Sequence, residues 1–238
     1  MVVGIGASFF IAILFVFLVG YISYRIGLLD RTGTYCGVLI GSLMVIFTDG
    51  RWFLVLLLFF ILGGISTKYK QDYKRTLGIV QGTRDYGNVL GNGLIALCMT
   101  LAFLFEEIFL IGFLGAVAAA TADTLATEIG DTSNTHPRLI TSFKPVKPGT
   151  NGAISPLGEL SAILGSAIIA LFGISMGLHE GVVPTYIAVV AGGLIGANFD
   201  SLLGATLEDK GLLTNNTVNL FGTLMGALSS VAVFVLII

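Results

Sequence analysis

The residues with the most chemistry to offer fall in one stretch, "ATADTLATEIGDTSNTHPRL" (119–138). Asp123, Glu128 and Asp131 stand close together there, interleaved with Thr121, Thr124, Thr127 and Thr132. They follow directly on the uncharged run "IFLIGFLGAVAAATA". At about 100° per residue, Asp123 and Thr127 share one helix face, and Thr124 and Glu128 a neighbouring one. Asp123 and Glu128 therefore diverge. They hold one ion only through a water, a bridging phosphate or a break in the helix after Ala126. Another acid, Asp200, ends a second apolar run in "FDSLLGATLED" (199–209), with Ser201 beside it. An ionisable group so placed is expensive in hydrocarbon and normally faces a protein interior or a polar cavity. Carboxylates, hydroxyls and amides around such a cavity suit Mg²⁺, which takes oxygen ligands, keeps waters, and is commonly held by one or two carboxylates plus substrate phosphates. Asp123, Glu128 and Asp200 are thus the candidate metal-binding and catalytic groups. A cation-transport path is the rival use of intramembrane acids. Asp131, Glu208 and Asp209 read as helix-end carboxylates facing water.

Phosphate binding is the second chemistry. In "KPVKPGTNGAISPLGE" (144–159), Lys144 and Lys147 precede the turn Gly149, Thr150, Asn151 and Gly152. Its glycines allow a tight turn that presents backbone amides. Ser155 and Pro156 then fit the N-cap and first position of a helix, whose positive end favours anions. The Walker A order is absent, and an ordinary loop with lysines retained on one side of a membrane is the alternative. Arg84, shortly before a helix, is the better-placed cation of the preceding loop. Lys70, Lys74 and Arg75 read chiefly as topology determinants, although that basic run, with Tyr69 and Tyr73 between, also suits anionic headgroups or a nucleotide phosphate. Asn88 and Asn92 share one helix face at i,i+4 spacing, as do Asn215 and Asn219. Arg84, Asn88, Asn92, Ser201 and Asn219 are the candidate substrate-binding residues.

The elements that must hold these groups follow from composition. The chain is 55% hydrophobic and 11% charged, against roughly 25% charged in a water-soluble domain, and its mean hydropathy is +0.96. Its apolar runs do not alternate as barrel strands do. They predict an all-α, polytopic helical membrane protein, a single domain over 1–238, with about eight transmembrane helices: 3–24, 33–48, 51–67, 88–105, 108–127, 156–177, 182–203 and 216–238. The first run lacks a basic leader and reads as a span, not a cleaved signal. Loops after the odd-numbered spans hold eleven of the twelve basic residues, leaving only Arg51 on the other side. Positive residues stay in the cytoplasm, so both termini are expected outside and the acidic helix ends inside. "ADTLATEIGD" (122–131) resembles the stretch from Phe199, pairing Asp123 with Asp200, Thr124 with Ser201 and Asp131 with Glu208. This suggests a helix-pair repeat over 108–155 and 182–217. Cys36 and Cys98, in apolar runs, read as small buried residues, and His136 and His179 are isolated. A net charge of −2 carries no nucleic-acid signal.

With these stretches quoted, the chain resembles the phytyl-phosphate kinase family of integral membrane proteins, formerly a domain of unknown function. The matching pieces are "RDYGNVLGNG", "AATADTLATEIG", "KPVKPGTNGAISPLG", and "NFDSLLGATLE" followed by "NNTVN", covering 84 to 219. Gly91 departs from the Ala expected in the "VLAN"-type stretch. The resemblance implies CTP-dependent phosphorylation of an isoprenoid monophosphate, of phytyl or geranylgeranyl type, to its diphosphate. It implies that Asp123, Glu128 and Asp200 hold Mg²⁺ on the nucleotide, that Lys144, Lys147 and the 149–152 turn bind phosphates, and that Arg84 engages the acceptor phosphate. The prenyl tail would lie in a groove among the spans, open to membrane lipid. A lipid-phosphate cytidylyltransferase needs almost the same parts; an ion-coupled transporter is the more distant alternative. A transporter should carry polar groups at mid-membrane, whereas these cluster towards one face.

Overall fold

The computed structural model describes residues 6–133 and 135–238. Among them, nine α-helices follow one another: α1 (Ala7–Arg25), α2 (Arg31–Phe47), α3 (Gly50–Lys68), α4 (Gln71–Leu77), α5 (Tyr86–Ala102), α6 (Phe109–Gly130), α7 (Pro156–Ser175), α8 (Val182–Leu203) and α9 (Asn215–Ile237). Between α6 and α7 a minimal antiparallel pair forms from β1 (Arg138–Leu139) and β2 (Ala153–Ile154). After α8 the chain continues as a π-helical turn, Gly204–Glu208. Every expected span has its helix within a few residues; positions 3–5 lie outside the described residues. α4 was not expected. α1, α3, α6, α7, α9 and α8 with its π-turn are long and apolar enough to cross a membrane. α2 and α5 are apolar but have 17 residues each, about 26 Å at 1.5 Å per residue.

The helix starts are written in side chains. Asp30, Asp49, Asp85, Ser155 and Thr214 each occupy an N-cap and accept a backbone N–H of the first turn. Such a cap satisfies donors that a helix start leaves unpaired, and is worth about 1 kcal/mol each. Ser155 and Pro156 take the cap and first helical position as expected.

α6 is the axis of the bundle. Sixteen of its 22 residues are buried, enclosed chiefly by α3, α5, α7, α8 and α9. Its first half is Leu, Ile, Phe, Val, Gly and Ala, with the Phe113 ring tilted 42° to that of Trp52 of α3 and 4.5 Å from it between centroids. Small residues bring α8 and α9 against it: a Cβ added at Gly196 or at Gly226 would lie 2.5 Å from the Cβ of Ala119. Without that Cβ the three backbones approach closely, as small residues permit between membrane helices. This contact lies one turn before Asp123 on α6 and one turn before Asp200 on α8, so it sets how near the two acids come.

α1 is the opposite case. Only Val16, Gly20 and Ser23 of it are buried; Phe10, Ile11, Leu14, Phe17 and Leu18 are exposed. It approaches α2 closely and the other helices sparsely. Cys98 is likewise exposed, facing outward from α5, and only Cys36 is part-buried. The expectation that both cysteines are buried thus fails for Cys98, which lies on the outer face of its apolar helix. Gly91 has a packing role: a Cβ there would stand 2.6 Å from the carbonyl oxygen of Asn216, so α5 and α9 approach more closely than an Ala at 91 would allow.

Candidate active site

Hydrogen bonds fix the loops around the acidic ends of α6 and α8. Arg84 N–H donates to the Leu28 carbonyl at 3.2 Å, and the Arg84 carbonyl accepts from Asp30 N–H at 3.0 Å. The loop before α5 is thereby strapped to the α1–α2 turn. Asp131, half-buried at the end of α6, accepts from Gly149 N–H at 2.9 Å, anchoring the 149–152 turn over the helix end. Gly149 and Gly152 adopt φ of +78° and +72°, the left-handed region that favours glycine. A Cβ at Gly152 would also stand 2.4 Å from the Ser201 carbonyl oxygen, so the turn packs directly on the end of α8.

These constraints enclose a polar cavity of about 130 Å³. α6 lines it with Asp123, Thr124 and Thr127, α8 with Asp200 and Ser201, α5 with Asn88 and Asn92, and α9 with Asn215 and Asn219; Arg84 and the turn Gly149–Gly152 close it. Asp123 and Asp200 come together here from two helices, lining this cavity and, with Asn92 and Asn219, the small space behind it. Two carboxylates brought into one enclosed cavity repel one another, and a shared proton or a cation between them relieves that repulsion. With its amide oriented by its neighbours, Asn219 donates to Asp200 Oδ2 at 3.1 Å and accepts from Asn92 Nδ2 at 3.1 Å. Asn92 in turn donates to the Asn88 carbonyl at 3.0 Å. One polar chain therefore runs from α5 through α9 to Asp200 of α8, with Asp123 of α6 lining the same cavity.

Glu128 does not join them. It is buried, and Lys74 of α4 donates to its Oε2. The Thr67 hydroxyl donates to Oε1 at 2.9 Å. Lys74 Nζ also reaches the Ser66 and Thr67 carbonyls, at 2.9 and 3.2 Å. α6 stays helical through Ala126 to Gly130, so no break turns Glu128 back towards Asp123. Its five-residue offset points it away, at α3 and α4. A three-carboxylate centre of Asp123, Glu128 and Asp200 is therefore not formed. Among the described residues no three His, Cys, Asp or Glu side chains form a metal-holding group. Lys74, expected to serve topology, is an enclosed ion-pair partner instead.

Lys144 and Lys147 are exposed and outside the cavity lining, whereas the four turn residues after them are inside it. Within that loop Lys144 and Lys147 supply backbone carbonyls, accepting from Leu139 N–H and Thr150 N–H, and their ammonium groups remain in solvent. The cation inside is Arg84. Its guanidinium lies 5.8 Å from the Phe60 ring centroid. Burial lowers its pKa, against the opposing pull of the Glu128 carboxylate; an arginine still keeps its charge. Asp131 and Glu208, expected to face water, both line the cavity. Burial pushes the Asp131 carboxyl up, opposed by the Gly149 N–H. Their equivalence in the internal likeness was the available signal: each lies eight residues after a cavity aspartate. Asp209 is exposed as expected.

An apolar helical bundle with a carboxylate-and-amide cavity at one end defines an integral membrane protein with a polar site at its rim. Residues 14–227 match the family described as Integral membrane protein DUF92, and the chain belongs to that family, the one its motifs resemble. It is 35% identical over 226 residues to an uncharacterized membrane protein of Methanocaldococcus jannaschii, covering 94% of each chain. It is 30% identical to Protein PGR of Arabidopsis thaliana, over 82% of this chain and 77% of that one. Protein VTE6, chloroplastic, of the same plant is 28% identical over 85% of this chain and 64% of its own length. No solved structure matches.

Proposed function

We propose that the protein phosphorylates an isoprenoid monophosphate to the diphosphate, with CTP as donor, at the cytoplasmic membrane face. The observation that carries this reading is the convergence of Asp123 and Asp200, from two helices, on a cavity closed by the Gly149–Gly152 turn and Arg84. The family resemblance of the motifs supplies the substrate class. An acceptor phosphate oxygen attacks the γ-phosphorus, the bond from that phosphorus to its β-bridging oxygen breaks, and nucleoside diphosphate leaves. Such a transfer asks the protein for positioning and charge stabilisation, not for a covalent intermediate.

Mg²⁺ fits the donor set. Asp123 and Asp200 are the two carboxylates, Thr124, Thr127 and the asparagines offer further oxygens, and the cavity leaves room for waters and phosphate oxygens. Bound there, the ion would offset phosphate charge. The turn's backbone amides and Lys147, just outside the lining, hold the nucleotide phosphates in this reading. Arg84 holds the acceptor phosphate; guanidinium matches phosphate geometry and keeps its charge when buried. Glu128 holds Lys74, not metal. Apart from Arg51, every basic residue belongs to the loops at the acidic end, which supports a cytoplasmic orientation of that end. Crossing by α2 and α5 along with the six longer helices would put both termini outside.

The test is incubation of purified protein with CTP, ATP and a panel of prenyl monophosphates, followed by mass spectrometry. CDP together with prenyl diphosphate supports the kinase. Release of diphosphate with a cytidylylated lipid would replace it by the transferase, and absence of any Mg²⁺-dependent product would reject both.

A further inference from the structure

A second cavity, of about 90 Å³, lies among α1, α2, α3 and α5. Its walls are apolar: Val16 and Val19 of α1, Val38 of α2, Leu56 and Leu57 of α3, and Val89 of α5. It has no part in the metal and nucleotide chemistry assigned above. Phe59, Arg84, Asn88 and Asn92 line both this cavity and the polar one. The two spaces thus meet at a wall whose charged member is Arg84.

Two features identify an occupant. Among the described residues, Arg84 is the basic group of the polar cavity, and its guanidinium has no ion-pair or hydrogen-bond partner there. A part-buried cation with no carboxylate bonded to it favours an anion. Behind it lies hydrocarbon-lined space instead of polar protein. A molecule satisfying both needs a phosphate at one end and an apolar chain at the other. The wall towards lipid is α1, which meets α3 through the Phe15–Phe53 pair, 6.1 Å between ring centroids, but packs closely only on α2. Its sparse packing on the α3 side offers a way in from the bilayer.

We propose that this apolar cavity is the tail-binding site for the lipid phosphate, with Arg84 at the boundary between head and tail and α1 as the wall past which the chain enters. This rests on the lipid-phosphate reading above and adds where the chain lies and which residues gauge it. Gly37 is the measuring point. A Cβ there meets nothing nearer than Leu29 Cδ1, at 3.8 Å. A larger side chain at 37 therefore fits without displacing helix backbone and occupies space that the tail would use.

Two measurements separate this inference from the kinase reading. In the first, full-length protein in lipid nanodiscs is photolabelled with geranylgeranyl phosphate carrying a diazirine along its tail, without nucleotide, and the adducts are mapped. Adducts at Val19, Val38 or Val89 support the site whether or not turnover is ever seen. Adducts confined to lipid-facing residues of α7 and α8, such as Leu164 and Ile195, overturn it even if the protein is a kinase. In the second, Gly37→Leu and Val89→Phe are compared with wild type on geranyl and geranylgeranyl phosphates. Each should lower the ratio of geranylgeranyl to geranyl kcat/KM by roughly tenfold, the scale of a few methylenes excluded from a pocket. An unchanged ratio in two folded variants overturns the tail assignment and leaves the kinase reading standing. If either variant fails to fold, photolabelling of the wild type still decides.

Discussion

Asp123 and Glu128 stand five residues apart on the same helix, and the fold gives them opposite neighbours. Asp123 turns to another acid, Asp200, in a cavity with open space beside it. Glu128 turns to Lys74 and the Thr67 hydroxyl, with both members of the ion pair almost fully enclosed. In the second case each charge is answered within the protein, and nothing is left for a ligand. In the first the charges are alike, and among the described residues neither acid has an ion-pair partner. Enclosure by itself does not mark a reactive carboxylate. What separates the two is whether the protein has already supplied the partner.

The strongest way to break this contrast is to neutralise the acids. Asp123→Asn and Asp200→Asn should each reduce nucleotide-dependent turnover by on the order of 10²–10³-fold or more, while the protein remains extractable and folded. Removing a like-charge contact relieves repulsion, so thermal stability without Mg²⁺ should hold or rise. The double variant should lose little more than either single, as residues of one unit do. Near-wild-type turnover in either single variant would take that residue out of the site.

The Lys74–Glu128 pair should show the reverse pattern, with stability moving before chemistry. Glu128→Gln or Lys74→Met leaves one enclosed charge unanswered, which is destabilising by about 3–5 kcal/mol. Lys74→Met combined with Glu128→Met removes both charges and should recover most of that loss in thermal unfolding. If Glu128→Gln instead keeps its stability and loses Mg²⁺-dependent turnover, Glu128 belongs with the metal site after all.

Two smaller effects sharpen the edges of the cavity. Lys147→Ala should weaken nucleotide binding severalfold and lipid-phosphate binding less, since an exposed ammonium contributes up to about 1 kcal/mol, and the difference should shrink as salt rises. Equal weakening for both ligands would assign the loop a shaping role. Asp131 supplies the smallest effect. Its carboxyl is raised above the unfolded value by burial, so the native state holds its proton more readily than the unfolded chain. Its contribution to stability is greatest at low pH, declines as pH climbs above about 4, and is lost once pH passes the raised native value. Asp131→Asn should therefore gain on wild type as pH rises through that window, by a few tenths of a kcal/mol after solvent screening. A gap in melting temperature that stays constant from pH 4 to 8 would contradict the assignment.

Much of the molecule was legible because lipid and water impose simple rules on a chain. Hydropathy located eight apolar helices, Ser155 and Pro156 marked where one of them begins, and the basic residues gathered in loops that the fold brings to one end. Asp123, Asp200, Arg84, the asparagines and the 149–152 turn could be picked out by residue type alone, since a polar group at the end of an apolar helix needs a reason. Partners were another matter. That Glu128 is matched by Lys74 depends on α4, a seven-residue helix too short to show a period, folding back over α3 and α6. That Asp131 and Glu208 line the cavity depends on a turn and a π-helical segment packing over the helix ends. That an apolar space adjoins Arg84 depends on α1 leaning on α2 and sparsely elsewhere. Residue type and spacing determine which groups are costly to leave unanswered in a membrane; only the packing of distant segments decides which of them the protein answers itself.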